Sequence, residues 1–293
     1  MKVDNAIIMA AGTASRFAPL SYEKPKALIS VRGEVLIERQ IRQIKEAGIE
    51  EIAIVTGYKA QAFEYLKEKF GVHLIHNPEF DLRNNNSSIL AARNFLKNTY
   101  VCSSDNYFIQ NPFTKEVEES YYAACFSKEE TSEWCIQADK DDYISSVKIG
   151  GENSWYMLGQ TFWSADFSKH FLEILEKTYD LPETKDKLWE SIFIEHLDSL
   201  KMKIKRYPEN YIFEFDSLDE LRLFDPDYIE NPRSKILESL SKDLNIPIGK
   251  MKDFKAIKNT TNEAVGFSFC ADGKKYTYDY KFCLLYTSDA ADE

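Results

Sequence analysis

Residues 6–29 read Ala-Ile-Ile-Met-Ala-Ala-Gly-Thr-Ala-Ser-Arg-Phe-Ala-Pro-Leu-Ser-Tyr-Glu-Lys-Pro-Lys-Ala-Leu-Ile. The apolar run Ala6-Ile7-Ile8-Met9 predicts a buried strand. It runs straight into small residues, Ala10, Ala11, Gly12, Thr13, Ala14 and Ser15, with Arg16, Lys24 and Lys26 just beyond. Small side chains let a ligand approach the backbone, and consecutive N–H groups form a nest for anionic oxygens. Arginine and lysine can then neutralise a polyphosphate. That combination belongs to a nucleoside triphosphate. The stretch contains neither G-x-x-x-x-G-K-[ST] nor G-x-G-x-x-G, so the two commonest phosphate loops do not apply. Without its cations it would read as an ordinary strand-to-helix turn.

Working outward, strands and helices alternate. A helix is expected over 35–47, with Leu36, Ile37, Ile41 and Ile44 on one face and Gly48 as its stop. Strands are expected at 52–56, 72–76 and 100–104, and helices at 59–70 and 87–96. Such alternation implies a parallel sheet with helices on both faces, whose ligands sit at the carboxyl ends of the strands. The loop after Met9 and Asp105 should therefore share one rim. From residue 121 the pattern changes to short strands (121–126, 143–149, 156–163). Helices over 165–179 and 185–197, strands at 203–207 and 211–215 and a helix over 218–224 follow. The substrate-specific part is expected to be inserted in this half. Residues 226–233, Pro-Asp-Tyr-Ile-Glu-Asn-Pro-Arg, read as a boundary, followed by a helix and a hairpin around Asp272-Gly273.

The 293 residues carry a formal charge of −11, with 44% hydrophobic and 29% charged residues. An acidic chain argues against nucleic-acid or anionic-membrane partners. No apolar run approaches the ~20 residues a bilayer requires, and no signal-peptide pattern opens the chain, so a cytoplasmic location is expected. The five cysteines and four histidines show no metal-ligand spacing.

Two carboxylates close predicted strands: Asp105 in Ser-Asp-Asn-Tyr-Phe and Asp216 in Glu-Phe-Asp-Ser. Mg²⁺ is commonly held by one or two carboxylates plus phosphates, and it bridges triphosphate oxygens. Asp216-Ser217 equally reads as a cap for the 218–224 helix. Spacing leaves both readings open.

The match of Ala10, Ala11, Gly12, Arg16, Pro19, Pro25, Lys26 and Leu28 resembles the nucleotidyltransferase signature A-A-G-x-G-x-R…P…P-K-x-L. Ala14 departs from it, standing where a second glycine is usual. Residues 1–225 further resemble bacterial CTP:phosphocholine cytidylyltransferases. They share Glu-Lys-Pro-Lys, Asn85-Asn86-Ser87-Ser88, Asp-Asn-Tyr-Phe, Glu133-Trp134, Phe162-Trp163, Trp189 and Glu214-Phe215-Asp216-Ser217. The resemblance implies a Rossmann-like α/β nucleotidyltransferase fold with a mostly parallel central sheet. It also implies Mg²⁺ on Asp105 and Asp216, and transfer of a cytidylyl group from CTP to phosphocholine. Arg16 and Lys26 would act in catalysis. The backbone of residues 10–15, with Asn85, Ser87 and Asp105, would bind the nucleotide.

A quaternary ammonium donates no hydrogen bonds and is held by aromatic faces and nearby carboxylates. All four tryptophans fall between residues 134 and 189. Glu133, Trp134, Trp163, Trp189 and Glu190 are the acceptor candidates, although tryptophans also serve as core packing. Other readings are transfer to a sugar 1-phosphate or an aminoethylphosphonate, and a non-catalytic nucleotide-binding regulatory domain. Residues 234–282 resemble the opening of a choline-kinase-like domain, with Thr260-Thr261-Asn262 before the first strands of its small lobe. The chain would then be part of a fusion. Residues 283–293 resemble the translation of a sequencing adapter and are expected to be foreign to the fold.

Overall fold

The computed structural model describes residues 1–260 and 264–289. They divide into two compact units. One comprises Met1–Gly12 and Leu36–Glu214, the other Thr13–Val35 and the chain from Phe215 onward.

The first unit is built on a nine-stranded mixed sheet flanked by helices. Its centre is parallel: Asn5–Ala10 lies between Ile52–Thr56 and Thr99–Ser103, and His73–His76 extends the row beyond Ile52–Thr56. Asn5–Ala10, Ile52–Thr56 and Thr99–Ser103 are almost wholly buried, which is why they read as continuous apolar runs rather than alternating ones. Ser154–Trp163 joins this row antiparallel to Thr99–Ser103 and carries the strands of the second half. These are Tyr121–Ser127 and Thr131–Ala138, with Ile144–Gly151 beyond. Lys203–Arg206 pairs in parallel with Tyr121–Ser127. The long strand needs its glycine. Gly159 has φ 112° at the register shift between Met157 and Thr161, and a Cβ there would lie 2.6 Å from Ile212 Cδ1.

The expected elements are present with shifts that local chemistry explains. The 59–70 helix is broken into a 3₁₀ turn, Ala60–Phe63, and the helix Tyr65–Phe70, entered through Lys59 at φ 48°. The 87–96 helix divides similarly into Asn86–Ala91 and Arg93–Phe95. The 185–197 helix shortens to Trp189–Glu195. Thr131–Ala138 was not expected as a strand. Its opening, Thr-Ser-Glu, is polar and mostly exposed, and full burial is confined to Cys135 and Ile136. Helix Ala165–Thr178 is capped by Ser164, whose side chain accepts from Phe167 N. Its residues Phe167, Phe171 and Leu175 pack with Val101, Tyr122, Trp163 and Trp189 in the main core of this unit.

The second unit holds most of the signature loop together with the chain's C-terminal part. Ser15–Phe17, Leu20–Glu23 and Lys26–Leu28 are single turns, followed by a short ribbon of Ser30–Val31 and Glu34–Val35. Helices Leu218–Phe224, Asp227–Glu230 and Lys235–Leu244 lead to an antiparallel sheet of Lys252–Lys258, Ala264–Ala271, Lys274–Asp279 and Leu284–Asp289. The turn at Asp272 and Gly273 has φ 47° and 75°, as a two-residue hairpin requires. Residues 226–233, expected as a boundary, contain a helical turn. Tyr228 there donates to Ser30 O at 2.6 Å, and Arg233 donates to the same carbonyl at 2.8 Å. Thr261 and Asn262 lie outside the described residues, as do residues 290–293 of the segment expected to be foreign.

Candidate active site

The loop's conformation follows from its residues. Ala14 adopts φ 47°, ψ 45° and accepts from Phe17 N at 2.9 Å, starting the turn that presents Arg16. This is the left-handed conformation for which glycine is the usual residue, so the departure at Ala14 carries strain and no change of path. Ala14→Gly should raise stability by about 0.5–1 kcal/mol, the relief of strain exceeding the added unfolded-state entropy. The midpoint of denaturant unfolding measures it.

Arg16 reaches Asp216, Nη1 to Oδ2 at 2.7 Å, and Lys26 Nζ lies 4.0 Å from the other oxygen. Lys26 is only 8% exposed, its ammonium set 5.6 Å from the Phe17 ring centroid, whereas Arg16 is largely exposed. The two readings of Asp216-Ser217 separate here. Ser217 is the cap, its Oγ accepting from Glu220 N at 3.2 Å, and the Glu220 carboxylate returns to Asp216 N at 2.8 Å. The Asp216 side chain takes no part in the cap and faces the two cations instead. One carboxylate thus faces two cations within a single unit.

In the first unit, the pairing of Met9 with Ser103 sets two strand ends side by side, and Ser104 N donates to Met9 O. Asp105 therefore stands on the same rim as Ala10, Ala11 and Gly12. Ala10 and Ala11 are buried, and Ala11 O accepts from Tyr58 N at 2.9 Å. Gly12 has nothing within 4 Å of where its Cβ would be, which leaves the backbone open on that side.

The Asn84–Ser88 stretch ties this rim to the second half of the unit. Asn85 Oδ1 accepts from Trp189 N at 2.7 Å, and Asn85 Nδ2 donates to Glu190 Oε2 at 3.1 Å. Asn86 donates to the Thr184 and Lys187 carbonyls. Ser87 is buried, its hydroxyl held between Asn77 and the Asn84 carbonyl, so it is engaged inside the protein.

The acceptor candidates fall into two groups. Trp189 is buried and stacks on Tyr122 with centroids 5.8 Å apart. Its Nε1 is buried without a hydrogen-bond partner among the described residues. Beside it the Glu190 carboxylate receives Asn85 and, at 3.5 Å, Tyr122 Oη. Burial pushes this carboxyl up to about 7, against hydrogen bonds that favour its ionised form. Trp134, half-buried, packs against the same core cluster. Trp163 lies at the centre of that core among Phe167, Phe171 and Trp189, its Nε1 donating to Thr161 Oγ1 at 3.0 Å. Glu133 is exposed and, as the strand neighbour of Trp134, points to the opposite face. The structure thus gathers Trp134, Trp189 and Glu190 around one core and leaves Glu133 apart. Sequence reasoning missed Tyr122 and the Asn85–Glu190 bond. A bond spanning 105 residues leaves no local signal.

In the first unit a parallel strand runs into small residues with a carboxylate on the same rim, and in the second two cations face one carboxylate; these are the parts of a nucleotidyltransferase. Comparison with known proteins agrees: residues 6–150 match the MobA-like NTP transferase domain. The chain is 32% identical to the choline-phosphate cytidylyltransferase of Streptococcus pneumoniae over 217 residues, 74% of this chain and 95% of that protein. It is 33% identical over 234 residues to the 2-aminoethylphosphonate cytidylyltransferase of Lancefieldella rimae, 78% of this chain and 95% of that one. The solved structure of the CTP:phosphocholine cytidylyltransferase from S. pneumoniae superposes with a TM-score of 0.73, covering 76% of this chain and 97% of that one. The chain belongs to this cytidylyltransferase family and is an enzyme of the nucleotidyltransferase type. Among the described residues, no helix is long and apolar enough to cross a membrane.

Proposed function

We propose that the protein transfers the cytidylyl group of CTP to phosphocholine, giving CDP-choline and pyrophosphate. The observation that carries the choice of acceptor is Glu190. It is a half-buried carboxylate beside the Trp189–Tyr122 stack, held by two donors that favour its charge. A half-buried anion against aromatic rings suits a cation that cannot itself donate hydrogen bonds.

The phosphomonoester is largely dianionic at neutral pH, its second pKa being about 6, so the attack needs no general base. One of its oxygens attacks the α-phosphorus in line as the bond to pyrophosphate breaks. Arg16 and Lys26 are assigned to the triphosphate and to the charge that grows on the leaving group. The backbone of residues 10–15 would cradle it. For Mg²⁺ the donor chemistry fits. Asp105 in the first unit and Asp216 in the second are each partly exposed oxygen donors. Mg²⁺ asks for one or two carboxylates with phosphate oxygens, not an all-protein cage. When bound by either carboxylate, the ion would neutralise triphosphate charge.

The relative that takes 2-aminoethylphosphonate makes the acceptor the point to test. Initial rates of pyrophosphate release with phosphocholine, phosphoethanolamine and 2-aminoethylphosphonate should show kcat/KM for phosphocholine at least about tenfold above the others. A preference for either primary amine would overturn the choline assignment and leave cytidylyl transfer standing.

A further inference from the structure

The C-terminal segment that resembles the start of a kinase is folded against the loop that carries Arg16 and Lys26. Three separate contacts join them within the second unit. Glu23, from the Glu-Lys-Pro-Lys motif, caps helix Lys235–Leu244: its Oε1 accepts from Lys235 N at 2.9 Å and Ile236 N at 3.2 Å. The helix has its own cap as well, Ser234 Oγ accepting from Leu237 N, so the Glu23 bonds are additional to what the helix requires. Tyr22 stacks on Tyr280 with ring centroids 3.6 Å apart and planes 7° from parallel. Strand Lys252–Lys258 lies along the Ser15–Phe17 turn, the turn that presents Arg16.

Residues 12–16 are ordered at an entropic cost that no buried side chain of their own offsets. These contacts offset it from outside. We infer that helix Lys235–Leu244, strand Lys252–Lys258 and Tyr280 act as a clamp on the triphosphate loop, with Glu23 as a positioning residue that acts through the path of the Leu20–Glu23 turn and touches no substrate. The inference rests on reading residues 10–28 as the triphosphate loop. Linkage makes the coupling reciprocal: a nucleotide that orders the loop must also protect the segment that holds it.

Amide hydrogen exchange on the full chain, with and without CTP and Mg²⁺, tests this, binding being followed in parallel by calorimetry. Saturating nucleotide should slow exchange across 235–244 and 252–258 as well as in the loop. Steady-state rates of two variants give the second reading. Glu23→Ala should raise KM for CTP about 5–10-fold with KM for phosphocholine unchanged. Glu23→Gln keeps an oxygen that can accept both N–H groups and should stay close to the parent. Nucleotide binding without protection of 235–258, or equal KM shifts for both substrates in Glu23→Ala, overturns the clamp and leaves the catalytic reading intact. No nucleotide binding at all overturns both.

Discussion

Replacing Lys26 by alanine should lower kcat by about 10²–10³ while the protein still folds cooperatively. Lys26 is the less exposed of the two cations facing Asp216, and it sits in a socket that leaves its side chain 8% exposed. A desolvated ammonium acts through a lower effective dielectric than an exposed one, so its effect on developing charge is larger than that of Arg16, whose side chain is 77% exposed. Arg16→Ala should therefore cost less than Lys26→Ala. Lys26→Arg should recover only part of the loss, since a planar guanidinium does not fit a socket shaped for a compact ammonium. Steady-state kinetics with a thermal melt of each variant separate the two causes of inactivity. A Lys26→Ala enzyme within threefold of the parent would remove the loop from the catalytic account.

The second large effect is a dependence on pH. Glu190 is raised from 4.5 to about 7 by burial. A choline cation is held by the ionised form, so KM for phosphocholine should fall about tenfold between pH 6 and pH 8 and level off above that. Phosphocholine loses its own second phosphate proton near pH 6, so part of the profile belongs to the substrate. Glu190→Gln isolates the protein's share. It should weaken phosphocholine binding at pH 8 and leave only the substrate's component of the profile. For stability the sign is opposite. The folded protein holds this proton more tightly than the unfolded chain, so Glu190's contribution is complete below about 4.5 and is lost as pH rises through about 7. Stability falling while acceptor affinity rises over the same interval distinguishes Glu190 from a general pH effect. Trp189 is a poorer probe. Its ring is buried in the core, and truncation to alanine would cost about 3–5 kcal/mol whatever the acceptor site requires.

The nucleotide half of this enzyme was legible because its chemistry is contiguous: strand, small-residue loop and cations occupy residues 6–26. The alternatives at Asp216 were visible in the Asp-Ser pair itself; Ser217 carries the cap, and the Asp216 carboxylate faces Arg16 and Lys26. The acceptor half was legible only as composition. Tryptophans clustered in one half announced aromatic surface, yet the chain alone does not distinguish Trp163, at the centre of the core, from Trp134, which keeps partial exposure. Strand alternation separates Glu133 from Trp134, and it was hidden because the strand Thr131–Ala138 opens on polar residues. The contacts of Glu23 with Lys235 and Ile236 lie more than 200 residues apart in sequence. Tertiary packing alone brings such groups together.

The most direct test of cytidylyl transfer is the identity of the product. The 293-residue chain is incubated with phosphocholine and each of CTP, UTP, ATP and GTP, with Mg²⁺ or with chelator, and the nucleotide products are resolved by phosphorus NMR. CDP-choline and pyrophosphate in equal amounts, from CTP alone and only with Mg²⁺, is the predicted result. A product formed preferentially from UTP, or undiminished by chelator, would contradict the account.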